Sequence, residues 1–234
     1  INGTWSTLYG LENATDVYIG ADYGISDKFM VGLSRSKGSS KLRMLVNGMA
    51  KWNILHEKNN KPVSLTLVGV ATISTMQKSE LPNTITSFPA FINRFSYCSQ
   101  IVAGKQLSNK FALQANLSFL HRNIVEIPDK NAMISTGFAA RLKLNKTVAL
   151  IGDLNIPLSG PQSPFATENQ GSEKEYNLPL GLGIEFDTGG HVFQLNLTNA
   201  KGIPQTDFLA NTDSSWLDGE FRLGFTISRL FKVR

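Results

Sequence analysis

Leu113-Gln114-Ala115-Asn116-Leu117-Ser118-Phe119 changes from apolar to polar at every step. A period of two puts Leu113, Ala115, Leu117 and Phe119 on one face of a strand and Gln114, Asn116 and Ser118 on the other. The polar half carries the information. A face open to solvent is rich in Lys and Glu, whereas Gln, Asn and Ser suit a crowded, hydrated interior. Apolar side chains turned outward over a small-polar inner face is the pattern of a membrane-spanning barrel strand. The competing reading, a soluble barrel or sandwich, buries its apolar face instead.

Working outward, the same alternation recurs. Val17, Ile19, Ala21 and Tyr23 interleave with Asp16, Tyr18, Gly20 and Asp22. Leu42 to Ile54, Leu178 to Phe186 and Phe221 to Ile227 follow suit, with Gly, Ser, Thr, Asn and scattered Arg on the polar phase. No segment sustains a helical period, so the chain reads as all-β. Strands are expected near 14–24, 29–37, 42–54, 62–76, 89–104, 111–124, 132–144, 148–157, 177–187, 191–199 and 220–231. Their connections alternate in kind. Short polar turns fall at Gly24 to Lys28, His56 to Lys61, Lys105 to Lys110, Asn145 to Thr147 and Asp187 to Gly190. The linkers between them are mostly longer, at Gln77 to Ser87, Val125 to Asn131, Leu158 to Glu175 and Asn199 to Gly219, with Lys37 to Lys41 the short exception. This is the up-and-down arrangement of an outer-membrane barrel, with turns in the periplasm and loops outside.

Composition agrees. The 234 residues carry 23 Lys+Arg against 18 Asp+Glu, a net charge of +5 and a charged fraction of 18%, below the usual value of about 25%. Apolar residues make up 41%, which argues against disorder. One cysteine excludes a disulfide scaffold or a Cys-based zinc site. No apolar run approaches the roughly 18 residues of a membrane helix. Basic residues are spread among turns and strands without an aromatic-lined patch, so nucleic acid is not an expected partner.

Single-chain bacterial barrels have an even number of strands. The first and last strands expected here run in the same direction, from long loop to short turn, and Ile1 to Asn13 reads as the loop before the first. Parity therefore predicts about twelve strands, the first lying upstream of Ile1, with residues 1–234 forming one outer-membrane β-barrel domain.

Particular motifs carry a resemblance. Asp22-Tyr23-Gly24-Ile25-Ser26-Asp27-Lys28-Phe29-Met30-Val31-Gly32-Leu33-Ser34-Arg35 resembles the first periplasmic hairpin of a Bacteroidota outer-membrane β-barrel family catalogued as a domain of unknown function. Leu120-His121-Arg122-Asn123-Ile124-Val125, Thr188 to Leu195 and Phe225 to Phe231 resemble later landmarks. The resemblance spans nearly the whole chain. It implies the bacterial outer membrane, a barrel and, before the position of Ile1, one more strand. It implies no activity and no catalytic residue.

The chemistry-bearing residues fall into three groups. On the polar phase, Asp22, Arg43, Lys51, Arg94, Arg122, Arg141, Lys143, Asp153, Glu185 and Arg222 are expected to line the lumen. They read either as a basic, anion-favouring pore or as paired charges bracing the wall. Pairing removes three of the seven basic groups, so an open pore is expected to favour anions, with Arg94 and Arg141 contributing. His121 falls on the outward phase near the rim, beside Asn93, Ile134 and Thr136 but no outward Ser, so an interfacial His is favoured over a lipid hydrolase. His56 and His191 lie at turns, too far from it for a metal site, and Cys98 faces inward without an activating charge beyond Arg94. The loop Asn199 to Gly219 carries Ile203, Phe208, Leu209 and Trp216 among polar residues. Those are expected to plug the lumen, join an aromatic girdle on the rim with Trp5 nearby, or dock a partner.

The expectation is a non-catalytic structural or scaffold subunit of an outer-membrane assembly, without metal or cofactor. Its partners are outer-membrane lipid and other outer-membrane or periplasmic proteins. A narrow, weakly anion-selective channel is the alternative, and a rim-sited lipid hydrolase comes third. The assigned faces also predict that Leu117→Lys damages assembly while Asn116→Lys is tolerated.

Overall fold

A computed structural model describes residues 17–37, 41–57, 62–81, 84–127, 129–166 and 175–231. The expectations for Trp5, the loop 1–13 and the start of the first strand at 14–16 lie outside the described residues.

Eleven strands form one antiparallel sheet in chain order. They are β1 (Tyr18–Gly24), β2 (Phe29–Ser36), β3 (Leu45–Leu55), β4 (Ser64–Ser74), β5 (Phe95–Gln106), β6 (Phe111–Arg122), β7 (Ala132–Lys143), β8 (Val148–Pro157), β9 (Leu180–Asp187), β10 (His191–Thr198) and β11 (Arg222–Arg229). Side-chain oxygens set the tight turns at one end. Ser26 Oγ accepts from the backbone N–H of Lys28 and Phe29, and Ser108 Oγ from those of Lys110 and Phe111. Asn145 Oδ1 accepts from Thr147 and Val148, and Asp187 Oδ1 from Gly189. Each caps a turn that lets the chain reverse within a few residues.

Burial reverses what a soluble protein shows. Leu117, Phe119 and Phe138 are 51%, 50% and 51% exposed, while Ser118 and Ser135 on the opposite face are 1% exposed. The apolar face therefore lies outside and the polar face inside. No helix among the described residues is long and apolar enough to cross a membrane.

Three of the strand starts that fall later than expected have a local cause. Met44, at φ 56°, turns the chain before β3, which begins at Leu45 rather than 42. Ahead of β5, Phe91–Arg94 forms a 3-10 turn, fixed by Asn93 Oδ1 accepting the Ala90 N–H at 2.8 Å. Pro179 cannot donate to a ladder, and β9 begins after it. The β10–β11 connection holds the one α-helix among the described residues, α1 (Gln205–Asn211), which the strand periodicity did not foresee.

Both sheet edges are bare among the described residues: β1 pairs with β2, and β11 with β10. Both edge strands run from the loop end toward the turn end, so antiparallel closure between them takes a further strand. Unpaired edges do not occur in hydrocarbon.

The inner wall is fitted around small residues. At Gly137 a Cβ would collide with Asn155 Oδ1 and, at 2.5 Å, with Asn116 Nδ2, because the two amides from β8 and β6 lean over it. Gly137→Ala is expected to cost about 1–3 kcal/mol by overpacking, read as a lower urea midpoint. An unchanged midpoint would show that the amides can move aside.

Candidate functional site: a loop folded into the lumen

The register brings apolar residues on otherwise polar phases into one inward row. Met49 pairs with Val70, Val70 with Cys98, Cys98 with Leu120, and Leu120 with Met133. Against this row lies α1. Leu209 and Ala210, each 1% exposed, join Val70, Cys98, Leu120 and Met133 in one buried cluster, with Phe208, Met49 and Val68 packed beside it. The helix touches β4, β5 and β6, across the lumen from β10 and β11, where its own loop begins and ends.

Local chemistry explains the helix. Pro204 precedes it, and the Pro204 carbonyl accepts from the N–H of Asp207 and Phe208 at 2.9 and 3.0 Å. Asp207 in the first turn suits the positive end of the helix. Asn211 Nδ2 donates back to the Asp207 carbonyl, and Thr212 Oγ1 to that of Phe208, which closes the far end. A polar chain ties the helix to the wall: Thr206 Oγ1 meets Thr72 Oγ1 at 2.7 Å, Thr72 donates to Asn47 Oδ1, and Asn47 Nδ2 donates to Ser34 and Ser36.

The remainder of the loop is pinned to the rim. Asn199, 1% exposed, donates to the carbonyls of Leu178 and Ser214 and accepts the Leu180 N–H. Lys201 pairs with Asp213. Trp216 Nε1 donates to the Leu180 carbonyl at 3.0 Å, and its ring stacks on Phe221. Phe208 and Leu209 thus pack on the inward row, while Trp216 holds the stem of the loop.

The charges expected to line the lumen divide between its ends. Arg43 precedes β3 and is exposed at the loop end. Arg94 ends the 3-10 turn, donates to the carbonyls of Ser74 and Met76 at 3.0 and 2.6 Å, and covers the Phe88 ring. Arg122, 7% exposed, pairs with Asp129 at 2.8 Å. Arg222 donates to the Asn199 carbonyl and Ser214 Oγ. Toward the turn end remain Asp22, Lys51, Arg141, Lys143, Asp153 and Glu185. There Arg141 Nε donates to Glu185 Oε1 at 2.9 Å, and Gln194 Nε2 to Glu185 Oε2 at 3.0 Å. Asp22, Lys143 and Asp153 are exposed and Lys51 half-buried. Basic and acidic groups balance in this half. The expected basic surplus is not found there, because Arg43, Arg94, Arg122 and Arg222 all sit at the loop end, the last three tied into loop carbonyls, a hydroxyl or a carboxylate.

Near those loops, Tyr176 is half-buried, and burial pushes its hydroxyl above the ordinary tyrosine range, with the Asp129 carboxylate the next largest cause.

Outside, the register corrects the surroundings of His121. It faces Tyr97 and Ala132 rather than Asn93, Ile134 or Thr136. Ser99 does point outward, one diagonal step away and opposite Phe119. Neither His121 nor Ser99 makes a side-chain hydrogen bond among the described residues, so no nucleophile–base pair is formed. No group of His, Cys, Asp or Glu among them could hold a metal. Ala50, Gly69 and Ser99 floor a groove of about 490 Å³ on the lipid-facing wall, edged by Trp52, Leu67 and Phe119.

The inward row was the missed signal. Met49, Val70, Cys98, Leu120 and Met133 each break the small-polar rule of the inner phase, and only the register shows that they adjoin.

Comparison with known proteins bears on the whole chain. The family model described as "Membrane bound beta barrel domain (DUF5777)" matches residues 1–231. Among solved structures, the NanC porin in a rhombohedral crystal form is similar at 6% identity, with a TM-score of 0.57 over 92% of this chain and 93% of that one. At that identity the likeness concerns the fold. A comparison with curated proteins finds no match.

Proposed function

The chain belongs to the membrane-bound β-barrel domain family DUF5777, and on that premise we propose that it is a non-catalytic structural subunit of a bacterial outer membrane whose lumen is shut at rest. The observation that carries this reading is the seating of Leu209 and Ala210 on Val70, Cys98, Leu120 and Met133. A standing channel leaves its lumen polar and hydrated, whereas here an apolar contact crosses it. The porin neighbour supports the outer-membrane location, and the motif resemblance supports Bacteroidota as the source. Lipid surrounds the exposed apolar wall, and other outer-membrane or periplasmic proteins are the partners of the scaffold role. The non-catalytic reading is supported by the isolation of His121 and Ser99. A second reading, a narrow channel opened on demand, is favoured by the polar, exposed side chains of the turn-side lumen.

Planar-bilayer recording tests the proposal. The intact protein is expected to be silent, and a variant with Pro204–Asn211 replaced by a Gly-Ser linker is expected to conduct steadily. Steady conductance from the intact protein would overturn the shut lumen.

A further inference from the structure

The loop that blocks the lumen is attached unevenly. Its stem, residues 212–222, is bonded to the rim: the Thr212 carbonyl accepts the Asn177 N–H, the Ser214 carbonyl accepts from Asn199, Arg222 grips Ser214, and Trp216 holds the Leu180 carbonyl. The tip, residues 203–211, reaches the opposite wall through the Leu209–Ala210 contact and the Thr206–Thr72 hydroxyl pair. Where the tip leaves β10, Gly202 sits at φ 84°, a conformation glycine adopts without strain and other residues rarely do. The Asp207 carboxylate packs onto that glycine, so a side chain there would push the tip away.

The tip also lacks stability of its own. Its helix has seven residues and no side-chain cap at its start, and isolated helices shorter than about 12–15 residues are marginal in water. It holds its shape while seated and has little to hold it once lifted. Toward the turn end, the inward groups Asp153 and Gln114 are exposed.

We infer that residues 203–211 form a gate, a flap that swings on Gly202 off the row Met49–Val70–Cys98–Leu120–Met133 while the stem stays fixed. Opening joins the outer mouth to a turn-side lumen lined by Gln100, Gln114 and Asn116 and by balanced charges. Such a passage fits small polar solutes, neutral or zwitterionic, rather than anions. The inference rests on the proposal that α1 shuts the lumen.

Cys98 provides the test, because it is the chain's one cysteine and lies under the flap, 1% exposed. In planar bilayers, intact protein is treated with a charged methanethiosulfonate reagent, and labelling is followed by mass. Slow labelling is expected, followed by persistent conductance, since the adduct occupies the seat; dithiothreitol should restore silence. Leu209→Ala keeps the stem and should speed labelling by on the order of tenfold, as a large-to-small change in the seat. A linker variant that conducts beside an intact protein that never labels would mean a fixed stopper. One that conducts beside an intact protein that labels and stays silent would mean that lifting the tip does not open the passage. In either case the gate is overturned and the shut lumen stands. A silent linker variant would overturn both. A reversal potential far from zero in a salt gradient would overturn the solute class.

Discussion

Leu117→Lys is expected to stop the barrel from assembling, whereas Gln114→Lys three residues away leaves it folded. Leu117 lies mid-way along β6, outward and 51% exposed, between Ile101 and Thr136 on the neighbouring strands. A lysine there sits in hydrocarbon beside a groove whose lining carries no acidic residue to receive its charge, at a cost of about 2–4 kcal/mol near the midplane. Gln114 occupies the opposite phase of the same strand, faces the hydrated lumen and is exposed, so an ammonium there keeps its water. Asn116→Lys, the control that alternation alone selects, is poorer. Asn116 Oδ1 accepts from Ser118 Oγ at 2.9 Å, and its amide leans over Gly137 beside Asn155, leaving a longer side chain little room. Heat-modifiable mobility on a gel, with urea midpoints, separates the two variants. Loss of Gln114→Lys with normal assembly of Leu117→Lys would mean that the wall faces the other way.

That contrast rests on phase, which is the part of the fold an unaided sequence carries best. Each strand is a local object with a two-residue period, so the outward set from Val17 to Ile227 and the order of short turns and long loops could be read without coordinates. Strand starts were harder, since the Phe91–Arg94 turn owes its shape to the Asn93 side chain and Met44 is hydrogen-bonded to Lys37 and Thr75, contacts that alternation does not encode. The plug was least legible. Phe208 and Leu209 were visible as apolar residues in a polar loop, but their seat consists of residues from separate strands, from Met49 to Met133, and becomes one surface only once register is fixed. The charges failed for the same reason. Phase gave Arg94, Arg122 and Arg222 an inward direction, yet their height at the loop end, where carbonyls and Asp129 meet them, depends on where each strand stops. Counting charges by phase alone therefore overstated the basic character of the lumen.

Removing the Arg122 side chain is expected to be among the most destabilising single changes in the wall. Arg122 ends β6, and its pair with Asp129 is almost dry, the two side chains being 8% and 11% exposed. The same guanidinium donates to the Lys130 carbonyl at 3.0 Å, and Gln162 Nε2 holds the other side of Asp129 at 2.8 Å, so the pair joins the β6–β7 loop to the loop after β8. Deleting one partner of a buried pair leaves the other charged and unsatisfied, which costs about 3–5 kcal/mol. Arg122→Met should therefore lower the urea midpoint sharply and expose residues 123–131 to hydrogen exchange. Adding Asp129→Asn removes the stranded charge while keeping an Oδ1 acceptor for Gln162, so the double variant should recover much of the loss. A bracing role also predicts that neither change alters ion selectivity once the flap has been replaced by a linker. If the double variant is as unstable as Arg122→Met, the stranded carboxylate is not the cause and the brace is refuted; if selectivity moves with Arg122, its guanidinium faces the conducting path rather than the loops.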